Sequence, residues 1–173
     1  ALIGRTAIAA GGNAADGVVA AYFAMSVTLP SAAGLGGGGI CIAHDADKKT
    51  TDIIDFLPRA AAGGSVAVPG NVRGMAALNA RYGKLQLAQL VGPAEGLATQ
   101  GVPVSKALSR DLSQYGQLLA DDPSLQATFH KLDGTQLVEG DNMRPVDLAA
   151  TLGQIRAQGV NAFYSGLLGQ KLV

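Results

Sequence analysis

Residues 31–45, SAAGLGGGGICIAHD, decide how the chain is to be read. Gly34, Gly36 and Gly39 match G-x-G-x-x-G, a spacing that in dinucleotide-binding proteins follows a strand and opens a helix. There the helix N-terminus turns its N–H groups toward a pyrophosphate. The surroundings here run the other way. Upstream, AADGVVAAYFAMSVTL (Ala14 to Leu29) is apolar on nearly every face and reads as a helix buried all round. Downstream, Ile40 to Ala43 reads as a strand. Helix, glycines, strand is the wrong order for a phosphate cradle, and no acidic residue closes a second strand where a ribose would bind. The glycines are therefore expected to serve packing, with Gly36 to Gly39 allowing positive φ and close backbone approach at a crowded strand entry.

Working outward, Asn13 is expected to cap the apolar helix, Asp16 to favour its first turn, and Pro30 to end it. The polar turn 45–49 joins the first strand to a second over 51–56, giving a hairpin. Ser65 to Gly70 is a short apolar segment broken by Pro69. Helices are expected over Val72 to Tyr82, stopped by Gly83, and over Leu87 to Thr99, stopped by Gly101 and Pro103. Others are expected at Ser105 to Ala120, at Pro123 to Phe129, from Pro145 to Gln158, and from Asn161 to about Leu172. The stretch KLDGTQLVEGD, between the helix ending at Phe129 and the one opening at Pro145, reads as a polar hairpin. The absence of an initiator Met at Ala1, and of a stop signal near Val173, suggests a processed or excerpted chain.

Composition excludes several function classes. The 173 residues supply enough chain for one core, and 48% of them are apolar. Thirteen basic and thirteen acidic side chains cancel, with no basic run to suit nucleic acid or a membrane surface. The most apolar run, Gly17 to Leu29, falls short of the roughly 20 residues a membrane span needs. One cysteine, Cys41, excludes an internal disulfide framework, and His44 and His130 lack metal-ligand spacing. No metal or cofactor is expected.

Taken in order, GGNAADGVVAAYFAMSVTLPSAAGLGGGGICIAHD, IIDFLPRAAA, SVAVPGNVRGMAALNARYGKLQLAQLVGPAEGLATQGVPVS and RPVDLAATLGQIRAQGVNAFYSGLLGQKLV resemble the γ-glutamyltransferase (γ-glutamyltranspeptidase) family. The resemblance covers nearly the whole chain and places it in the N-terminal part of the large subunit. It implies an α+β fold, the αββα sandwich of N-terminal-nucleophile hydrolases, of which residues 1–173 form a single large-subunit-like portion. It also implies a small-subunit partner, cut from the same precursor, whose N-terminal threonine attacks a γ-glutamyl or related acyl amide. The catalytic centre is then not in this chain, since Ala1 has no hydroxyl and Thr50 and Thr51 lack a free α-amine. A periplasmic or secreted location is implied as well.

The family's large subunit holds the glutamyl α-carboxylate with an arginine in a DFRETAP-like stretch. Here the stretch reads Asp55-Phe56-Leu57-Pro58-Arg59-Ala60-Ala61, with Leu57 at the arginine's position. Arg59 is the candidate substrate-binding residue, and a solvated loop arginine is its alternative. The departure leaves open an acylase with a non-glutamyl substrate and a catalytically inactive scaffold chain. The remaining residues carry structural expectations. Cys41 should be a small buried hydrophobe, and His44 a surface turn residue beside Asp45. Asp45, Asp47, Asp52 and Asp55 should form a solvated hairpin edge, and Arg73 and Arg81 should face water or pair with carboxylates.

Overall fold

The computed structural model describes residues 1–60, 62, 64, 66–119 and 122–171. Expectations at Ala61, Ser65, Ala120, Leu172 and Val173 lie outside the described residues. Helices dominate and form the core, and the strands pair two by two along the edges.

Helix α1 (Leu2–Ala9) was not anticipated. It packs on α2 (Ala14–Thr28), and the two backbones meet at glycines: a Cβ on Gly4 would lie 2.7 Å from the Gly17 carbonyl oxygen. Asn13 caps α2 as expected, accepting from the N–H groups of Ala15 (3.0 Å) and Asp16 (3.3 Å), while Asp16 accepts from the Asn13 N–H at 2.9 Å. Val19, Phe23 and Val27 are fully buried on α2. Burying each such side chain contributes about 1.5–3 kcal/mol. Burial is not complete all round, because Val18 and Met25 remain 50% and 42% exposed. Pro30 does more than end the helix: after Leu29 it opens the one-turn α3 (Pro30–Ala33), using the fixed φ that suits a first helical position.

Strands β1 (Ile40–Asp45) and β2 (Thr50–Asp55) form the expected hairpin, paired Ile42↔Ile53 and His44↔Thr51. Its inner face, with Cys41, Ala43 and Ile54, packs on the core, and its outer face exposes Ile40, Ile42 and Ile53 at 59%, 68% and 69%. The apolar segment around Pro69 provides β4 (Ala67–Val68), which pairs with β3 (Arg59–Ala60).

Helices α4 (Asn71–Tyr82) and α5 (Leu87–Gln100) pack against α2, and α5 carries α8 (Val146–Gln158) on another side. Leu90, Val91, Ala94 and Ala98 meet the α2 core, and Leu152 and Ile155 complete it from α8. β5 (Val102–Pro103) pairs with β6 (Asn142–Met143). The expected long helix is α6 (Lys106–Tyr115) followed by a 3₁₀ turn over 116–119, and α7 spans Pro123–Phe129 as expected. The polar hairpin is reduced to one bridge, His130↔Gln136. The final helix breaks at Gly166 into α9 (Asn161–Ser165) and α10 (Leu167–Lys171).

Candidate functional site

The site is built around Phe56, just past the end of β2. Its N–H donates to the Gly39 carbonyl at 2.9 Å, which zips the glycine run to the hairpin. Three glycines close on it. A Cβ on Gly38 would meet the Phe56 carbonyl oxygen at 2.4 Å, one on Gly70 would meet it at 1.7 Å, and one on Gly74 would lie 2.2 Å from the ring. The Gly37 carbonyl accepts from the N–H groups of Gly70 (2.9 Å) and Asn71 (3.0 Å), and the Asn71 amide donates to the Gly34 carbonyl at 2.9 Å. Close approach is thus the purpose at Gly37, Gly38 and Gly39. The expected positive φ does not occur: the described positive-φ glycines are Gly11, Gly101, Gly134, Gly140 and Gly159. A Cβ on Gly36 would meet nothing within 4 Å. The run needs room rather than an unusual backbone.

This slot anchors one wall of a cavity of about 440 Å³, formed by the turn after β2, the β3–β4 pair, the start of α4, and Tyr164 of α9. Leu57, Val68, Pro69 and Ala77 supply apolar surface, and Arg59 and Arg73 supply charge. Asp55 shapes the turn by accepting from the Leu57 N–H at 3.0 Å and from the Arg59 guanidinium at 2.5 Å. The Arg59 side chain is 74% exposed and that of Asp55 41%. Such an exposed pair contributes about 0–1 kcal/mol, so Asp55 offsets the Arg59 charge without fixing it firmly.

Arg73 is placed differently. Its guanidinium carbon lies 4.6 Å from the centroid of the Tyr164 ring, and its own N–H donates to the Tyr164 hydroxyl at 3.1 Å. That hydroxyl in turn donates to the Pro69 carbonyl at 2.9 Å. Burial pushes the Tyr164 phenol up, against the pull of the Arg73 N–H and charge, which keeps it protonated as a donor. Among the described residues no carboxylate pairs with Arg73. Its side chain is exposed, so Arg73 meets the expectation that it would face water or pair with an acid. Arg81 meets that expectation through Asp52 at 2.9 Å.

The acidic residues of the hairpin do not act as one edge. Asp45 closes the turn, accepting from the N–H groups of Asp47 and Lys48, both at 3.1 Å; these bonds and the Lys48 ammonium hold its carboxyl below the usual range. Asp52 turns inward to Arg81 and the Tyr82 hydroxyl, and Asp55 holds Arg59. The outer-face His44 shares a hydrogen bond of 3.0 Å with Thr51 Oγ1, and Cys41 is half-buried on the inner face. Among the described residues no three His, Cys, Asp or Glu side chains converge on a point.

The sequence profile of the family described as gamma-glutamyltranspeptidase matches residues 1–64 and 58–173. The chain belongs to the gamma-glutamyltranspeptidase family. Its glutathione hydrolase proenzyme from Bacillus subtilis strain 168 is 33% identical over 193 residues, covering 98% of this chain and 32% of the relative. The acylase ACY 1 proenzyme of Pseudomonas sp. strain V22 is 34% identical over 197 residues, covering 98% and 35%. In three dimensions the chain superposes on the gamma-glutamyltranspeptidase of Helicobacter pylori with a TM-score of 0.93 at 31% identity, covering 98% of this chain and 55% of that one. The chain spans about a third of the length of the curated relatives it matches. The family's two matched segments overlap at 58–64, a span that includes Arg59. The Arg73–Tyr164 stack escaped the sequence reading. Its one local signal is a basic residue in the first turn of α4, a turn with no acid.

Proposed function

We propose that this chain is the large-subunit-like part of an enzyme that transfers or hydrolyses a γ-glutamyl or related acyl group from an amide. The family match along the whole chain carries this reading, supported by the likeness to a solved gamma-glutamyltranspeptidase. The nucleophile is the N-terminal threonine of a small-subunit partner cut from the same precursor. Its hydroxyl attacks the amide carbonyl while its α-amine takes the proton and delivers it to the departing amine. Water or an amino acid then attacks the resulting ester and releases the threonine hydroxyl. The chemistry needs no cofactor. The partner completes an αββα sandwich, and the bare outer face of the hairpin, with Ile40, Ile42 and Ile53, supports a missing layer there. A periplasmic or secreted location accompanies this reading.

Arg59 contributes to substrate binding at the cavity rim. Because Asp55 already offsets its charge, Arg59→Ala should raise KM only about two- to fivefold, with kcat unchanged. Steady-state kinetics on a γ-glutamyl amide check this, and an unaltered KM would remove Arg59 from the site. A second reading, an acylase for a non-glutamyl group, is favoured by Leu57 at the arginine position and by the 34% identity to an acylase proenzyme.

The deciding experiment is a denaturing intact-mass spectrum of the purified full-length protein, with N-terminal sequencing. A second chain beginning with threonine is expected. An uncleaved protein without acyl-amide turnover would leave an inactive scaffold relative and end the enzyme reading.

A further inference from the structure

We propose that the cavity walled by α2, α7 and α8 is a binding site for a small uncharged apolar molecule, one ring or a chain of about six to eight carbons. The proposal goes beyond the acyl-transfer reading and does not depend on it. This cavity, of about 220 Å³, shares no lining residue with the one beside Arg59.

Five elements converge on it. Val27 of α2, Pro30 of α3, Leu125 and Phe129 of α7, Met143 of β6 and Leu148 of α8 supply an apolar lining. Its floor is core, with Val27 and Met143 fully buried and Phe129 nearly so. Met143 is held by its pairing with Val102, and Pro30 and Pro145 have a fixed φ. The hollow is thus tied to the backbone of several elements rather than to one loop. A dry cavity of about 150 Å³ with aliphatic and aromatic walls takes up benzene, so the volume here suits one ring with a short substituent.

The polar groups around the mouth favour a small molecule over a length of polypeptide. The Thr128 hydroxyl donates to the Ser124 carbonyl at 2.9 Å, and the Ser124 hydroxyl donates to Asp122 at 2.7 Å. Pro30 and Pro145 have no N–H to offer. A peptide segment laid over this mouth would shed water from its own N–H and carbonyl groups and find few partners in exchange. A molecule without such groups meets no such cost. Asp147, the charged residue of the lining, stands exposed at the rim in the first turn of α8 and disfavours an anionic ligand.

The test uses the full-length protein and toluene, with benzoate as a charged ring of similar size. Calorimetry should show saturable toluene binding, and benzoate should bind about tenfold or more weakly. Thr128→Phe and Leu148→Phe each add a ring to the space and should weaken toluene binding about tenfold or more, whereas Arg59→Ala should leave it unchanged. The place of binding is read in wild-type protein labelled at its methionine methyl groups. The signal assigned to Met143, through its loss in Met143→Leu, should move when toluene is added.

No saturable binding in the wild type would overturn the proposal and assign the hollow to another part of the polypeptide. So would a Met143 signal that stays in place while toluene binds, benzoate binding as tight as that of toluene, or an affinity untouched by both phenylalanine variants. If a variant does not fold, the other variant and the Met143 signal still decide. None of these outcomes bears on acyl-amide turnover, so failure here and failure of the enzyme reading are told apart.

Discussion

A methyl group at Gly70 would stand 1.7 Å from the Phe56 carbonyl oxygen, well inside van der Waals contact. The obstacle is backbone, which cannot swing aside as a side chain can. Gly70→Ala should therefore cost about 1–3 kcal/mol, by the usual penalty for overpacking, and lower the urea midpoint accordingly. Gly36→Ala serves as a control, because its Cβ would meet nothing within 4 Å. At this scale the sequence was only partly legible. Asn13 was readable as a cap because its partners lie within one helical turn. The Arg73–Tyr164 pair was not, since 91 residues separate its members and no spacing rule joins them. The purpose of the glycines was half readable: a run of them signals crowding or unusual φ, and only the distant Phe56 and Asn71 show that crowding is the cause.

Among the elements, α2 is joined to α4 and to the loop after it through one carboxylate. Asp16 is fully buried and accepts from the N–H groups of Asn13 and Lys84, both at 2.9 Å, from that of Leu85 at 3.3 Å, and from the Asn79 amide at 3.0 Å. Burial pushes its carboxyl up, and these four bonds outweigh that and hold it below the usual range. A carboxyl depressed by folding stabilises fully above its unfolded pKa of about 3.9, and that stabilisation is lost as pH falls through the lower folded value. Asp16→Ala leaves four donors without their acceptor and should cost about 3 kcal/mol or more at pH 7. Denaturant melts from pH 7 downward should show the wild type converging on the mutant in acid; a gap that persists unchanged would contradict the role of the charge. The sequence placed Asp16 in a first turn and went no further, because its other donors come from residues 79–85. Elements were legible where a marked start or stop bounds an apolar run: Asn13 before α2, Gly83 after α4, Gly101 after α5 and Pro145 before α8. The two-residue pairs β3–β4 and β5–β6 are too short to show a period, and α1 lacks a side-chain cap to mark its start.

For the molecule as a whole, family membership was legible because motif order survives along the entire chain, and the helical superposition follows from that order. Among the described residues the strands make two-stranded pieces, and a lone hairpin is marginal without neighbours. The bare isoleucines of β1 and β2 give that incompleteness a kinetic meaning. Two free edges beside an apolar face are a template for any passing strand, including one from a second copy. Capture by another molecule slows with dilution, whereas closure by a strand further along the same polypeptide does not. A tethered strand acts at an effective concentration in the millimolar range, far above that of competing chains in a cell. On the proposed two-subunit reading, a precursor made as one polypeptide lets the correct strand win by proximity. On that reading, scission before the layer is in place would surrender the advantage, so cleavage would belong after folding.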